Sequence, residues 1–221
     1  MKDNKRFVVL GLGSFGTALA TRLAENGCRV TGVDASERRV EQLKEVLYEA
    51  VVANVTDKDS LKELLVASAH AVFISLGENI ETSLLAALHA RELGAKRVLV
   101  KGVTEEHGKI LKHLGVERVV FPEAEMATQL ADSMTWPNVL DALTIDTDHS
   151  LVEMAVPETL AGKTLREADL RRRYGCLVLG IKDHLNGKLT LNPDGEFQLT
   201  DDQTLLVIGR KAELSRLSDL K

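Results

Sequence analysis

Six short apolar runs alternate with stretches of helical periodicity over the first 121 residues, and this rhythm limits the fold more than any other feature of the sequence. The runs begin at Arg6, Arg29, Ala50, Ala71, Arg97 and Arg118. Short, mostly apolar runs are typical of strands that are buried on both faces of a sheet. Strands separated by helices pair in parallel through right-handed crossovers. The pattern predicts an α/β domain with a doubly wound parallel sheet.

Helical periodicity fills the stretches between these runs. Predicted helices cover Phe15–Asn26, Ser36 to about Leu47, Lys58–Val66, Glu81–Leu93 and Glu105–Leu114. Three of them are followed by a glycine, as is typical of helix ends. After the sixth run, Pro122 predicts the start of a further helix from Glu123 to about Met134, and residues 135–138 predict a hinge.

Beyond about Ile145 the pattern becomes rich in β-structure. Predicted strands lie near Leu151–Val156, Cys176–Lys182, Leu189–Leu191 and Thr204–Gly209, with helices at Thr164–Tyr174 and Lys211–Leu217. We therefore expect a larger domain at residues 1–121, a crossover helix and hinge at 122–144, and a small α+β domain at 145–221. The small second domain favours dimerisation, because it buries a smaller fraction of its surface than a large domain does.

Composition excludes several classes of protein. The 221 residues carry 28 basic and 33 acidic side chains, whereas proteins that bind the backbone of nucleic acids have a basic excess. No apolar run reaches the roughly 20 residues of a membrane span, and no signal-peptide core is present. Cys28 and Cys176 lack metal-binding or redox spacing. We expect a soluble, reduced, cytoplasmic protein without a nucleic-acid partner.

A G-x-G-x-x-G segment lies between the first predicted strand and the first predicted helix. It consists of Gly11, Leu12, Gly13, Ser14, Phe15 and Gly16. In such a loop the first glycine permits a tight turn, the second lets the backbone approach a phosphate, and the third lets helix pack on strand. The free amides at the start of the helix then face an anion. The loop predicts a phosphate-binding turn.

Asp34 ends the second predicted strand, where its carboxylate can accept hydrogen bonds from both hydroxyls of a ribose. No Arg or Lys occupies the two positions after Asp34, which disfavours a 2′-phosphate. The predicted ligand of the domain at residues 1–121 is therefore an adenine nucleotide with a free 2′-hydroxyl. The alternative is a glycine turn with a capping aspartate.

Further candidates follow other strands, since doubly wound sheets bind ligands at the carboxyl ends of their strands. These candidates are Ala35 after the second strand, Asn54, Val55 and Thr56 after the third, Leu76, Gly77 and Glu78 after the fourth, and Lys101 after the fifth. Asn54 could contact adenine or ribose, and Lys101 could approach phosphate oxygens. The alternatives are that Asn54 and Thr56 cap a turn and that Lys101 is solvated.

No catalytic constellation is visible. The six histidines form no metal-binding pair at i, i+4, and neither a G-x-S-x-G segment nor a P-loop lysine occurs. We expect no enzyme. Two alternatives stay open: a small NAD-dependent dehydrogenase, and a redox-sensing DNA-binding repressor that would use the arginines at 166 and 171–173.

The sequence resembles the RCK family of regulators of potassium conductance, and within it the KtrA/TrkA group of cytosolic regulatory subunits. The matching stretches are FVVLGLGSFG, VTGVDAS, VVANVTD, VFISLGENIETS, RVLVKGV, HLGVERVVFPEAEMA, LRRRYGCLVLGIKD and LTDDQTLLVIGRK. The resemblance implies a Rossmann-like N-lobe, a crossover helix that pairs subunits, and a small C-lobe that dimerises. It further implies a homodimer that assembles into an octameric ring at the inner face of the cell membrane, under a membrane-embedded, KtrB/TrkH-like potassium channel subunit.

The resemblance also implies ligands. Ktr-type members bind ATP or ADP to gate the channel, TrkA-type relatives favour NAD or NADH, and some members bind a cyclic dinucleotide on the C domain. Glu123 matches a glutamate that helps to hold Mg²⁺ or Ca²⁺ at the dimer interface; its alternative is an acid that complements a helix dipole. His107 matches a position near the phosphates; its alternative is a solvated histidine. Ser14 replaces an arginine that reaches the γ-phosphate in Ktr proteins, which leaves ATP/ADP and NAD(H) both open.

Overall fold

The computed structural model describes residues 5–77 and 79–220, and the chain divides into two compact units. Unit 1 ends at Pro122 and unit 2 begins at Glu123. Within the described residues, no helix combines the length and the apolar character that a membrane span requires.

Unit 1 is built on a six-stranded sheet in which every pair of neighbours is parallel. Its strands are β1 (Arg6–Leu10), β2 (Arg29–Asp34), β3 (Glu49–Val52), β4 (Ala71–Ile74), β5 (Val98–Lys101) and β6 (Arg118–Val120). Their order in the sheet is β3-β2-β1-β4-β5-β6. The chain therefore runs from β1 through β2 to β3 on one side of β1, and then crosses over to β4, β5 and β6 on the other side. The predicted doubly wound parallel sheet is confirmed.

Helices pack on this sheet and bury it on both faces. They are α1 (Ser14–Glu25), α2 (Glu37–Glu41), α3 (Lys58–Glu63), α4 (Ile80–Glu92) and α5 (Glu105–His113). Val8 and Val9 are neighbours on β1, and both are fully buried but belong to different apolar clusters. Because successive side chains of a strand point to opposite faces, both faces of β1 are covered. This explains the nearly continuous apolar runs of the sequence.

The predicted helix from Ser36 to about Leu47 is wrong in length, since α2 ends at Glu41. The spacing of Val40, Leu43 and Leu47 indicated a helix, and all three side chains are buried in one cluster. The backbone places them there through turns: the amide of Leu43 donates to the carbonyl of Val40, and that of Val46 to the carbonyl of Leu43. Helical spacing alone therefore does not distinguish a helix from consecutive turns.

Unit 2 contains a five-stranded antiparallel sheet. After helix α6 (Pro122–Thr135), its strands are β7 (Val139–Thr144), β8 (His149–Ala155), β9 (Leu177–Asp183), β10 (Leu189–Leu191) and β11 (Gln203–Arg210), in the order β10-β9-β11-β8-β7. Its helices are α7 (Leu165–Ala168), α8 (Leu170–Tyr174) and α9 (Lys211–Ser218). Met154, Ile181 and Leu205 lie in its buried core. The predicted small α+β lobe is confirmed.

Two details of unit 2 differ from the prediction. Strand β7 lies where the sequence predicted only a hinge, because a register shift between Val139 and Asp141 breaks the regular alternation of apolar residues. The single helix predicted for Thr164–Tyr174 is two short helices, because Asp169 has a φ of 44° and this left-handed conformation interrupts the helix.

Candidate functional site

A cavity of 430 Å³ opens at the carboxyl ends of the central strands of unit 1. Eight of the predicted binding residues line it: Gly11, Gly13, Asp34, Ala35, Asn54, Val55, Leu76 and Gly77. Four residues that the sequence analysis did not select also line it, namely Arg39, Ser75, Asn79 and Thr82. Glu78, also predicted, lies outside the described residues. The cavity is thus where the strand order reverses, as expected for a ligand site in this class of fold.

Different structural reasons account for the presence of glycine at the three glycine positions of the loop. Gly11 has a φ of +95°, and a Cβ there would lie 2.1 Å from the carbonyl oxygen of Ser75. A Cβ at Gly16 would lie 1.9 Å from the carbonyl oxygen of Gly11. At Gly13 a Cβ would meet no described atom within 4 Å. The protein itself therefore requires Gly11 and Gly16, whereas Gly13 leaves space for something outside the chain.

The first turn of α1 has no side-chain cap. Its N-cap is Gly13, and among the described residues no side chain accepts a hydrogen bond there. By contrast, Asp57 caps α3, Asn79 caps α4 and Thr104 caps α5, each through an oxygen that accepts a backbone N–H. The first amides of a helix carry partial positive charge and need acceptors. The start of α1 can therefore take an anion.

Asp34 lies beside this helix start and holds the loop in place. One carboxylate oxygen, Oδ2, accepts the backbone N–H of Leu12 at 2.8 Å, and Oδ1 accepts that of Ser36 at 2.8 Å. Nη1 of Arg39 lies 3.3 Å from Oδ2. The Asp34 side chain is only 9% exposed. The carboxylate that was predicted to contact ribose thus also fixes the position of the loop, while Arg39 brings a cation to it.

Asn54 and Thr56 form a turn of their own. The side-chain oxygen of Asn54 accepts the backbone N–H of Thr56 at 3.0 Å and its hydroxyl at 2.8 Å. Asn54 and Val55 line the cavity, but Thr56 is not among its lining residues. The capping alternative therefore holds for this pair, and it coexists with a place at the cavity for Asn54.

Five further predicted residues do not line the cavity. Leu12 is buried at 2% exposure, Gly16 is buried in the packing of α1, and Ser14 is exposed. Phe15 and Lys101 line a second, mainly apolar cavity of 200 Å³ together with Phe73, Leu99 and Val120. The loop amides stay near the first cavity, but Lys101 borders a different one.

His107 lies in the first turn of α5 and is 1% exposed, so it is not the solvated histidine of the alternative. Its Nδ1 accepts the backbone N–H of Val103 at 3.2 Å. Burial lowers the pKa of its imidazole. Nε2 is buried and has no hydrogen-bond partner among the described residues. The ring is therefore neutral near pH 7, with its proton on Nε2.

Glu123 lies exposed in the first turn of α6. Residues 5–77 and 79–220 contain no group of three or more histidine, cysteine or carboxylate side chains that could hold a metal ion. A single carboxylate does not provide the six or more oxygens that Ca²⁺ or Mg²⁺ requires. The donors among these described residues alone therefore do not fit a divalent cation, and the metal-binding role of Glu123 stays a prediction.

The lining residues that the sequence analysis did not select differ in whether a sequence signal could have identified them. Asn79 precedes a predicted helix by two residues, and an asparagine followed by an acid in the first turn is a helix-start signal. Ser75 is the small residue next to Gly11. No sequence signal distinguishes Arg39 from the adjacent, exposed Arg38.

Comparison with known proteins matches two parts of the chain to known domains. Residues 7–122 match the TrkA-N domain and residues 151–221 match the TrkA-C domain. Over 213 residues the chain is 35% identical to the Ktr system potassium uptake protein C of Bacillus subtilis (strain 168), which covers 96% of this chain and 95% of that protein. It is 32% identical over 216 residues to the Ktr system potassium uptake protein A of the same organism, with 98% and 96% covered.

Solved structures share the fold. The GsuK RCK domain superposes with a TM-score of 0.68 at 23% identity, covering 99% of this chain and 48% of that chain. A GsuK channel bound to NAD gives a TM-score of 0.67 at 22% identity, covering 99% and 40%. The chain therefore spans half or less of the length of these two solved chains. With both TrkA domains matched and two Ktr relatives above 30% identity over nearly its whole length, this chain belongs to the RCK family, in its KtrA/TrkA group.

Proposed function

We propose that this chain is a nucleotide-sensing regulatory subunit of a Ktr/Trk-type potassium transporter and that it controls a membrane-embedded channel subunit. The carrying observation is the cavity in which the uncapped start of α1 lies beside Asp34. An anion at the helix start and a ribose at the carboxylate together describe a nucleotide. The names of the Ktr relatives support the link to potassium uptake.

The ligand of unit 1 is ATP or ADP in this proposal, with NAD or NADH as the alternative. Ser14 supplies no positive charge for a γ-phosphate, so ATP gains little over ADP from this position. Thermal-shift titration of the full chain with ATP, ADP, NAD and NADH, each with and without Mg²⁺, tests the proposal. A ligand at a hundredfold excess over its Kd stabilises the folded state by about 2.7 kcal/mol. No shift with any of the four would contradict a nucleotide site.

The subunit senses the nucleotide and does not transform it. Incubation with ATP or with NADH and simple substrates should therefore give no turnover at enzymatic rates. Steady hydride transfer would favour the dehydrogenase alternative. The repressor alternative is disfavoured because α8, which carries Arg171–Arg173, has only five residues.

The apolar face of α6 supports a role for this helix in subunit pairing. Met126, Leu130 and Met134 recur every fourth residue and are 60%, 56% and 78% exposed. Residues at this spacing lie on one face of a helix, and an exposed apolar stripe marks an interaction surface. We propose that α6 pairs two subunits, that dimers form an octameric ring, and that the ring lies on the cytoplasmic face of the membrane beneath the channel subunit. Light scattering should show loss of the parent assembly in Leu130→Glu, and retention of that assembly in the control Thr128→Glu, which places the same charge at an exposed position of α6 outside the apolar stripe.

We propose a second ligand site in unit 2. A cavity of 330 Å³ is lined by residues that include Arg166, Arg171, Asn192 and Asp194. Arginines suit phosphate groups, so we propose a cyclic dinucleotide as the ligand. Calorimetric titration with cyclic diadenosine monophosphate tests this, and Arg171→Met should weaken binding while Arg172→Met should not.

A further inference from the structure

Arg39 lies beside Asp34, the carboxylate that would bind the ribose of the proposed nucleotide. It lines the cavity, and its Nη1 lies 3.3 Å from Oδ2 of Asp34. The Arg39 side chain is 48% exposed, whereas that of Asp34 is 9% exposed. A half-exposed cation thus contacts a nearly buried anion, which is held by two backbone N–H groups, inside the site.

The hydrogen-bond capacity of Asp34 is limited. Each carboxylate oxygen has two lone-pair directions. Oδ2 accepts from the backbone of Leu12 and from Arg39, so both of its directions are used. Oδ1 accepts from the backbone of Ser36, which leaves one direction. A ribose diol that donates to both oxygens therefore needs one donor to leave Oδ2.

The donor that leaves is Arg39. The N–H of Leu12 belongs to the buried glycine loop and makes a bond of 2.8 Å, so its departure would open the loop. The contact of Arg39 is longer, and its side chain reaches solvent. A half-exposed ion pair also contributes little stability. Replacing it with a ribose hydroxyl therefore costs less than replacing any other partner of Asp34.

We propose that Arg39 is an affinity- and specificity-determining residue that competes with the ribose diol for Asp34 and is released when a nucleotide binds. This inference rests on the proposed nucleotide site. If Arg39 competes with the ribose, its removal strengthens nucleotide binding. If Arg39 instead contacts the nucleotide, for example by stacking on adenine, its removal weakens binding.

Calorimetric titration of ADP and 2′-deoxy-ADP into the full-length parent, Arg39→Met and Arg38→Met tests the competition. Methionine keeps an unbranched apolar stem, and Arg38→Met makes the same change of charge one residue away, at a position that does not line the cavity. We expect Arg39→Met to bind ADP roughly two- to fivefold more tightly than Arg38→Met. Loss of the 2′-hydroxyl should then cost on the order of tenfold in Arg39→Met, and clearly less in the parent.

Weaker ADP binding by Arg39→Met than by Arg38→Met overturns the inference, and so does an equal gain for ADP and 2′-deoxy-ADP. Thermal unfolding of the three proteins without ligand checks that the substitutions leave the fold intact. Failure of the parent itself to bind any of ATP, ADP, NAD and NADH has a different meaning, because it removes the proposed nucleotide site and the inference with it.

Discussion

The helices of unit 1 begin in two contrasting ways. At α3, α4 and α5 a side chain of the chain itself, from Asp57, Asn79 or Thr104, accepts the first amides. At α1, a helix of 12 residues, the N-cap residue is Gly13, which has no side chain. Among the described residues, the short helix α2, with five residues, also lacks a side-chain cap. The capped helices satisfy their first amides within the chain, whereas the first amides of α1 are the ones at which we propose that a ligand binds. The same contrast separates the glycines, since Gly16 is needed by the protein and Gly13 is not.

Gly16→Ala should give the largest effect on folding. Its Cβ would lie 1.9 Å from the carbonyl oxygen of Gly11, which is backbone and cannot move aside cheaply. We expect a loss of about 3 kcal/mol or more in the free energy of unfolding, measured by urea denaturation. Gly13→Ala is the matched control and should lose about 1 kcal/mol or less, because Gly13 has a φ of −69° and open space around its Cα. Equal losses in the two variants would remove the distinction between the glycines.

Gly13→Val should abolish nucleotide binding without unfolding the chain. The branched side chain would occupy the space into which a phosphate approaches the uncapped amides of α1. We expect a loss in affinity for ADP on the order of a hundredfold or more by calorimetry. Circular dichroism of the variant should match that of the parent. A folded variant that binds ADP with parent affinity would show that the start of α1 is not the phosphate site.

Asp34→Ala tests the acid that fixes this loop. The variant loses the proposed ribose contact, and we expect affinity for ADP to fall by more than about tenfold. It also leaves the buried amide of Leu12 without its acceptor, so the free energy of unfolding should fall by about 1 to 3 kcal/mol. Asp34→Asn keeps one oxygen acceptor and should lie between parent and alanine variant in both measurements. ADP affinity equal to that of the parent in Asp34→Ala would move the ribose elsewhere.

The sequence predicts unit 1 well because its physical requirements are local. Strands buried on both faces must be apolar along their whole length, so β1 and β4 are visible as runs. The glycine loop is visible because a close approach of two backbones tolerates only glycine, as at Gly11 and Gly16. Gly11 and Asp34 are among the eight predicted residues that line the cavity, out of twelve described lining residues in all.

The remainder depends on packing that no local pattern records. Arg39 contacts Asp34 from the third position of α2, whereas its neighbour Arg38 lines a different surface. Strand β7 was missed because a bulge breaks its alternation. His107 has the sequence context of a surface histidine, yet it is buried in the first turn of α5. Each of these features is set by tertiary contacts and not by propensity.

Asn79→Ala removes the cap of α4, a helix start that also reaches the cavity. Because the fold uses this cap, we expect the free energy of unfolding to fall by about 1 kcal/mol. Nucleotide affinity should change by less than about threefold, since in the proposed site the phosphate binds at the start of α1 and not at that of α4. Urea denaturation and ADP titration measure the two effects. A loss of ADP binding as large as that in Gly13→Val would mean that both helix starts bind the phosphate.

Substitution of His107 should give the smallest of these effects, and it concerns the pH dependence of stability at the start of α5. Its pKa in the folded protein is lowered by burial, whereas the unfolded chain has the ordinary value of about 6.5. Below about pH 6.5 the unfolded state binds a proton that the folded state does not, so stability is full above that pH and declines as the pH falls towards 5. The slope from this one group is at most about 1.4 kcal/mol per pH unit. Urea denaturation of His107→Gln between pH 7.5 and pH 5 should show a shallower decline than the parent, because glutamine can accept the N–H of Val103 without titrating. His113→Gln, at an exposed histidine of the same helix, is the control. If the stability of His107→Gln declines with falling pH as steeply as that of the parent, His107 does not contribute to the pH dependence.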